Sequence, residues 1–138
     1  VTLVLDASAA LAWIFERADA AEAAHSKAVL KDLKHRPVFV PILWHIEVLN
    51  ALVVAQRRGV VSTSKAVDFL TKLNRLPIQT DEIAVPSRKA PIFTLATQYG
   101  LSAYDATYLE LALRIGAALA TFDKKLMQAC RMAGIPSY

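Results

Sequence analysis

The sequence is short of cysteine, having only Cys130 in 138 residues. That excludes an intrachain disulfide and a thiolate metal site, and it suits a reducing cytoplasm. Cys130 itself suits packing on an apolar helix face. No apolar run approaches the roughly 20 residues needed to span a bilayer, so no membrane association is expected. Asp6 and Glu16 interrupt the amino-terminal apolar stretch, which argues against a signal peptide. Internal repeats, low-complexity tracts and long linkers are also lacking. Acids are outnumbered 12 to 16 by Lys and Arg, for a formal net charge of +4. This balance favours an anionic partner, nucleic acid or an acidic protein, although a solvated basic surface accounts for it equally well. What is abundant is apolar: hydrophobic residues make up 55% of the chain. That composition excludes disorder and, at this length, predicts a single domain over residues 1–138 around one core.

The apolar residues come in short β-rich runs separated by helical patterns. Thr2 to Leu5 has no polar face, as a central parallel strand requires. Ala7 to Phe15 reads as a helix, and Asp19-x-x-Glu22 opens another that stops before Pro37. On that helix Lys27, Lys31 and Lys34 share one face, as a solvated basic stripe does. Val38 to Val40 is a second strand. Leu43 to Gln56 is a helix ended by Arg57-Arg58-Gly59, with cations at its negative end and glycine beyond it. Ser62 to Ser64 caps the next helix, which stops before Pro77. Ile78 to Thr80 is a short strand, and Asp81 to Lys89 reads as a surface loop. Pro91 can open a helix at its first position, running to Tyr99 and ending at Gly100. Ser102-x-x-Asp105 caps the helix that Gly116 closes, Ala117 to Thr121 is a strand, and a last helix runs to Met132. Gly134-Ile135-Pro136 is read as an added edge strand. Strands alternating with helices predict an α/β fold with a parallel sheet between helix layers.

Against this apolar ground, Asp6, Glu47, Asp105 and Asp123 stand out. Asp6 and Asp123 follow strands at once, and ligand sites of open parallel sheets collect at strand carboxyl ends. The ordinary reading of Asp6, Asp105 and Asp123 is helix capping or a first-turn anion. Glu47 has no such reading. It lies mid-helix among Leu43, Trp44, Ala51 and Val54, where a carboxylate needs a partner: an arginine, Asn50, or a cation shared with other acids. Two carboxylates about 4 Å apart repel by roughly 4 kcal/mol at an effective dielectric near 20. Four such groups would gather only around something positive. An all-oxygen set suits a hard ion, Mg²⁺ or Mn²⁺, which orients an attacking water, lowers its pKa and stabilises charge on a phosphate.

Four segments in order then carry a family resemblance. They are Leu5-Asp6-Ala7-Ser8-Ala9, Glu47-x-x-Asn50-Ala51-Leu52, Ser102-Ala103-Tyr104-Asp105-Ala106-x-Tyr108-Leu109-x-Leu111-Ala112, and Leu119-Ala120-Thr121-x-Asp123-x-x-Leu126. Together they resemble PIN-domain ribonucleases, and more narrowly the toxins of VapBC-type toxin–antitoxin pairs, over essentially the whole chain. The resemblance implies a three-layer α/β/α domain and a metal-dependent endoribonuclease that cuts tRNA or rRNA and inhibits translation. It implies Asp6, Glu47, Asp105 and Asp123 as the acidic catalytic and metal site, with Asp6 and Asp105 the main ligands and Ser8 and Thr121 in support. It also implies a homodimer and an antitoxin partner, one that is acidic or brings an arginine into the acid pocket.

Two other classes compete. A receiver-like phospho-acceptor domain also holds Mg²⁺ in an acidic pocket, but mid-helix Glu47 and the lack of a strand-end lysine after Thr80 count against it. A non-catalytic PIN-like scaffold is opposed by the intact acids. Among the remaining polar residues, His25, His35 and Glu110 are read as exposed, and His45 as pointing away from Glu47. Trp13 and Phe15 are read as core or interface. Lys124, Lys125, Arg57 and Arg58 are read as either phosphate contacts or solvated ends.

Overall fold

The protein is described here by a computed structural model that covers every residue except Ser137. The short apolar runs form strands β1 (Leu3–Leu5), β2 (Val38–Val40), β3 (Ile78–Thr80) and β4 (Ala118–Ala120). They pair in parallel in the order β3-β2-β1-β4. After β1 come helices α1 (Ala7–Leu11) and α2 (Ala20–Asp32), and after β2 come α3 (Ile42–Arg57) and α4 (Thr63–Leu73). After β3 come α5 (Lys89–Tyr99) and α6 (Ala103–Ile115), and α7 (Lys124–Met132) follows β4. β1 and β4 are buried along their whole length, whereas the edge strand β3 is only partly covered. This is why the central runs are uniformly apolar. The core centres on Leu3, Leu5, Leu109, Leu111 and Leu126, all fully buried. Each such side chain contributes about 1.5–3 kcal/mol by leaving water. No helix among the described residues is long and apolar enough to cross a membrane.

Because all strands run the same way, Leu5, Val40, Thr80 and Ala120 end on one rim. The chain turns one way from β1 to β2 and the other way to β4, so the topological switch lies between β1 and β4. Their register, Leu5 opposite Ala120, sets Asp6 beside Thr121. That crevice is where an open parallel sheet keeps a ligand site.

The α/β alternation stands as read, with local exceptions. Ser102 accepts from the Asp105 amide and Ser62 from that of Lys65, as N-caps do. Gly116 ends α6 at φ 66°, a left-handed conformation that costs a glycine little. The helix predicted to Phe15 stops at Leu11 and continues as turns. The predicted Gly134–Pro136 strand is absent. Pro136 accepts one backbone bond from Leu119 but has no N–H to give in return, so no ladder forms.

The largest correction concerns Asp81 to Lys89 and Glu110. The predicted surface loop contains a 3₁₀ turn, Val85–Arg88, that leads directly into α5. Asp81, Arg88 and Glu110 are buried, not exposed. Arg88 donates to Glu110 at 3.0 Å and to the Ile83 carbonyl at 2.9 Å. Arg114 reaches Asp81 at 2.6 Å and Glu110 at 3.0 Å. Two carboxylates and two guanidiniums therefore balance beneath the loop, tying β3 to α6. Arg88→Met should destabilise the fold by about 3–5 kcal/mol, because it strands buried carboxylates. Urea unfolding measures this, and a loss under about 1 kcal/mol, the scale of an exposed pair, would contradict it.

Candidate active site

Asp6 sits at the switch. Its amide donates to the Ala120 carbonyl at 2.9 Å, continuing the β1–β4 ladder by one residue. Asp6 as a whole is 6% exposed. Thr121 Oγ1 and Ser8 Oγ both donate to Oδ2, at 2.6 and 2.7 Å. Those hydroxyls accept in turn from the amides of Asp123, at 2.9 Å, and Phe122, at 3.0 Å. A hydroxyl has one proton to give. The backbone amides occupy its acceptor side, so both protons are committed to Asp6. Burial holds the Asp6 carboxyl above the usual carboxylate range, the two hydroxyls pull it back down, and the charge of Asp123 adds to the rise.

The capping reading separates the other aspartates. Asp123 does cap α7, accepting from the Leu126 amide at 2.9 Å. Asp6 precedes α1 but makes no side-chain cap bond. Asp105 lies in the first turn of α6, where Ser102 does the capping. The carboxylates of Asp6 and Asp105 are therefore spare as far as the helices are concerned. Glu47, half-buried on α3, is bonded by neither an arginine nor Asn50. Its partner is Tyr108, whose phenol donates to Oε1 at 2.5 Å. Tyr108 belongs to the α6 motif, but its role as Glu47's partner was not legible there, because no local rule relates positions 61 residues apart.

Electrostatics join the four acids. Glu47 is raised chiefly by burial, then by the charges of Asp6 and Asp105. Asp105 is raised chiefly by burial, then by Asp123 and Asp6. Among the described residues, no lysine, arginine or histidine forms an ion pair with Asp6, Glu47, Asp105 or Asp123, and the charge of Lys125 lowers Asp105. Oxygen donors and uncompensated negative charge match what Mg²⁺ or Mn²⁺ requires. Among the described residues, no three acidic, histidine or cysteine side chains stand together in a way that could hold a metal ion. The match is thus one of charge and donor type.

The remaining sequence-read residues lie elsewhere or at the margin. His45 bonds Thr80 at 2.9 Å, away from Glu47. His25 is partly buried, edge-on to Phe122. The Arg17 guanidinium stacks over the Phe122 ring, 4.5 Å from its centroid. Trp13 and Phe15 pack on the core. Arg57, Arg58, Lys124 and Lys125 are exposed, as are Lys27, Lys31 and Lys34.

Residues 3–132 match the sequence profile of the PIN domain. The chain belongs to the PIN-domain family. It is 33% identical over 130 residues to Ribonuclease VapC3 of Pyrobaculum aerophilum, covering 91% of this chain and 92% of that protein. The crystal structure of PAE2754 from Pyrobaculum aerophilum superposes with a TM-score of 0.66 at 30% identity, over 94% of this chain and 79% of the other. The crystal structure of FitAcB from Neisseria gonorrhoeae has a TM-score of 0.65 at 16% identity, over 99% and 96%, and shares the fold. Family membership decides against a receiver-like domain. Asp6 and Asp123 follow β1 and β4 at the carboxyl end of the sheet.

The raised carboxyls of this PIN domain predict a pH dependence. A carboxyl raised in the folded state keeps its proton where the unfolded chain has lost it. Its stabilisation is fully present below the ordinary value, 3.8 for Asp105, and is lost as pH rises through the folded value. The α6 dipole favours an anion at Asp105 by up to about 1 kcal/mol, but burial and the neighbouring charges act the other way. Ion-free Asp105→Asn should therefore melt higher than the parent protein at pH 7, with the difference shrinking towards pH 4. A variant that melts lower at pH 7 would contradict the charge balance drawn here.

Proposed function

We propose that this PIN domain is a divalent-metal-dependent endoribonuclease, the toxin of a VapBC-type toxin–antitoxin pair. The observation that carries the reading is that Asp6, Glu47, Asp105 and Asp123, grouped about the β1–β4 switch, have no ion-pair partner among the described residues. The name Ribonuclease VapC3, borne by a relative aligned over almost the whole chain, supports RNA as substrate.

Asp6 and Asp105, with Glu47 and Asp123, would hold Mg²⁺ or Mn²⁺. When bound, such an ion supplies Lewis acidity to the phosphate and lowers the pKa of the attacking water. The chain supplies the rest. Ser8 and Thr121 fix Asp6. The α7 cap fixes Asp123. Exposed Lys124 and Lys125, next to Asp123, draw the RNA phosphates in. Water adds to phosphorus as the bond to the 3′ oxygen breaks, leaving a 5′ phosphate and a 3′ hydroxyl. The RNA cut is a cytoplasmic tRNA or rRNA, so cleavage stops translation.

Two protein partners belong to the same reading. An antitoxin bringing a cation to the rim would quench the four carboxylates. A second copy of the chain would cover Ile42, Ile46, Leu49 and Val53, which form an exposed apolar stripe along α3. Their 4-3-4 spacing is that of a helix seam, which a two-fold axis can pair with itself.

Purified protein should cleave RNA with Mg²⁺ and stop when the ion is chelated. Asp6→Asn should remain folded and lose about a thousandfold or more in rate, as expected when several kcal/mol of transition-state stabilisation go. Full cleavage by a folded Asp6→Asn would refute the assignment, and a monomer by light scattering would refute the dimer.

A further inference from the structure

Tyr108 is completely buried, yet its hydroxyl ends on a carboxylate. It stands three residues beyond Asp105 on α6, one helical turn along the same face. A buried tyrosine hydroxyl needs a hydrogen-bond partner, and a neutral carbonyl would satisfy it without gathering charge. Tyr108 instead holds Glu47 of α3 within range of Asp6 and Asp105, both of which repel it. Left to itself, a half-exposed glutamate with three rotatable bonds would swing towards water and away from the other acids. The phenol bond opposes that swing. It also takes up one oxygen, Oε1, and no other side-chain hydrogen bond among the described residues engages Glu47.

We propose that Tyr108 is the positioning residue of the acidic site: its hydroxyl pins Glu47 in the cluster and keeps the second carboxylate oxygen available to a divalent cation. This rests on reading the four acids as an ion site. The role belongs to the hydroxyl, because the ring is core packing that phenylalanine would reproduce.

The test is Mn²⁺ binding by the purified full chain, followed by water-proton relaxation and by thermal melting, in the parent protein, Tyr108→Phe, Glu47→Gln and the double variant. Tyr108→Phe should raise the half-saturating Mn²⁺ concentration about tenfold or more, the usual consequence of losing a group that orients a ligand. Its ion-free melting point should stay within a few degrees of the parent's. In the Glu47→Gln background the same change should add nothing, since Tyr108 acts only through Glu47. Unchanged Mn²⁺ affinity in Tyr108→Phe would overturn the proposal. So would a full additional loss in the double variant, or an ion-free collapse that showed the hydroxyl to be needed for folding. If the parent protein binds no Mn²⁺, the ion site and the role of Tyr108 fall together. If the parent binds Mn²⁺ and Tyr108→Phe binds it equally well, only the role of Tyr108 falls.

Discussion

A carboxylate at the end of a buried central strand has to be held by something, and in this protein the holding of Asp6 sets the arrangement of everything near it. The β1–β4 register brings Thr121 alongside, and Ser8 lies in the first turn of α1. Their hydroxyls are oriented by the amides of Phe122 and Asp123, so the turn into α7 serves as the clamp. Hydrogen bonds stabilise one anion in place, but they do nothing for the repulsion when Asp105, Glu47 and Asp123 are brought near it.

The protein buries acids in two ways, and the contrast is instructive. Asp81 and Glu110 are as deeply buried as Asp6, and each is bonded to arginine. Breaking such a balanced group costs stability. At the β1–β4 rim the acids raise one another, and none of the four is ion-paired among the described residues. The same chain therefore neutralises one acidic pair completely and leaves the other cluster negative. Stability does not explain the second arrangement, whereas the cation proposed above would.

Much of this was legible in the sequence because it is local. Apolar runs gave β1, β2 and β4, serine and glycine marked the ends of α4 and α6, and strand-end aspartates pointed to the rim. The four acids could be singled out because mid-helix Glu47 lacked a local reason to be there. What escaped depends on partners distant in sequence. Glu110 looked exposed because helical position alone did not place Arg88 against it, 22 residues away. The segment 81–89 looked like a loop because its polar residues belong to that same buried group. Tyr108 stood only as one position of the α6 motif, and it is the packing of α3 against the rim that gives its hydroxyl to Glu47. The Gly134–Pro136 segment forms no strand because its proline lacks the donor a ladder needs.

The central claim is that the β1–β4 rim is built for a divalent cation that the chain does not replace with its own positive groups. Anomalous diffraction from crystals grown with Mn²⁺ tests it most directly. The account predicts one strong peak bonded to the Asp6 carboxylate, with Asp105 or Glu47 as a further ligand. An empty rim at saturating Mn²⁺, with Asp6 still bonded only to Ser8 and Thr121, would contradict it.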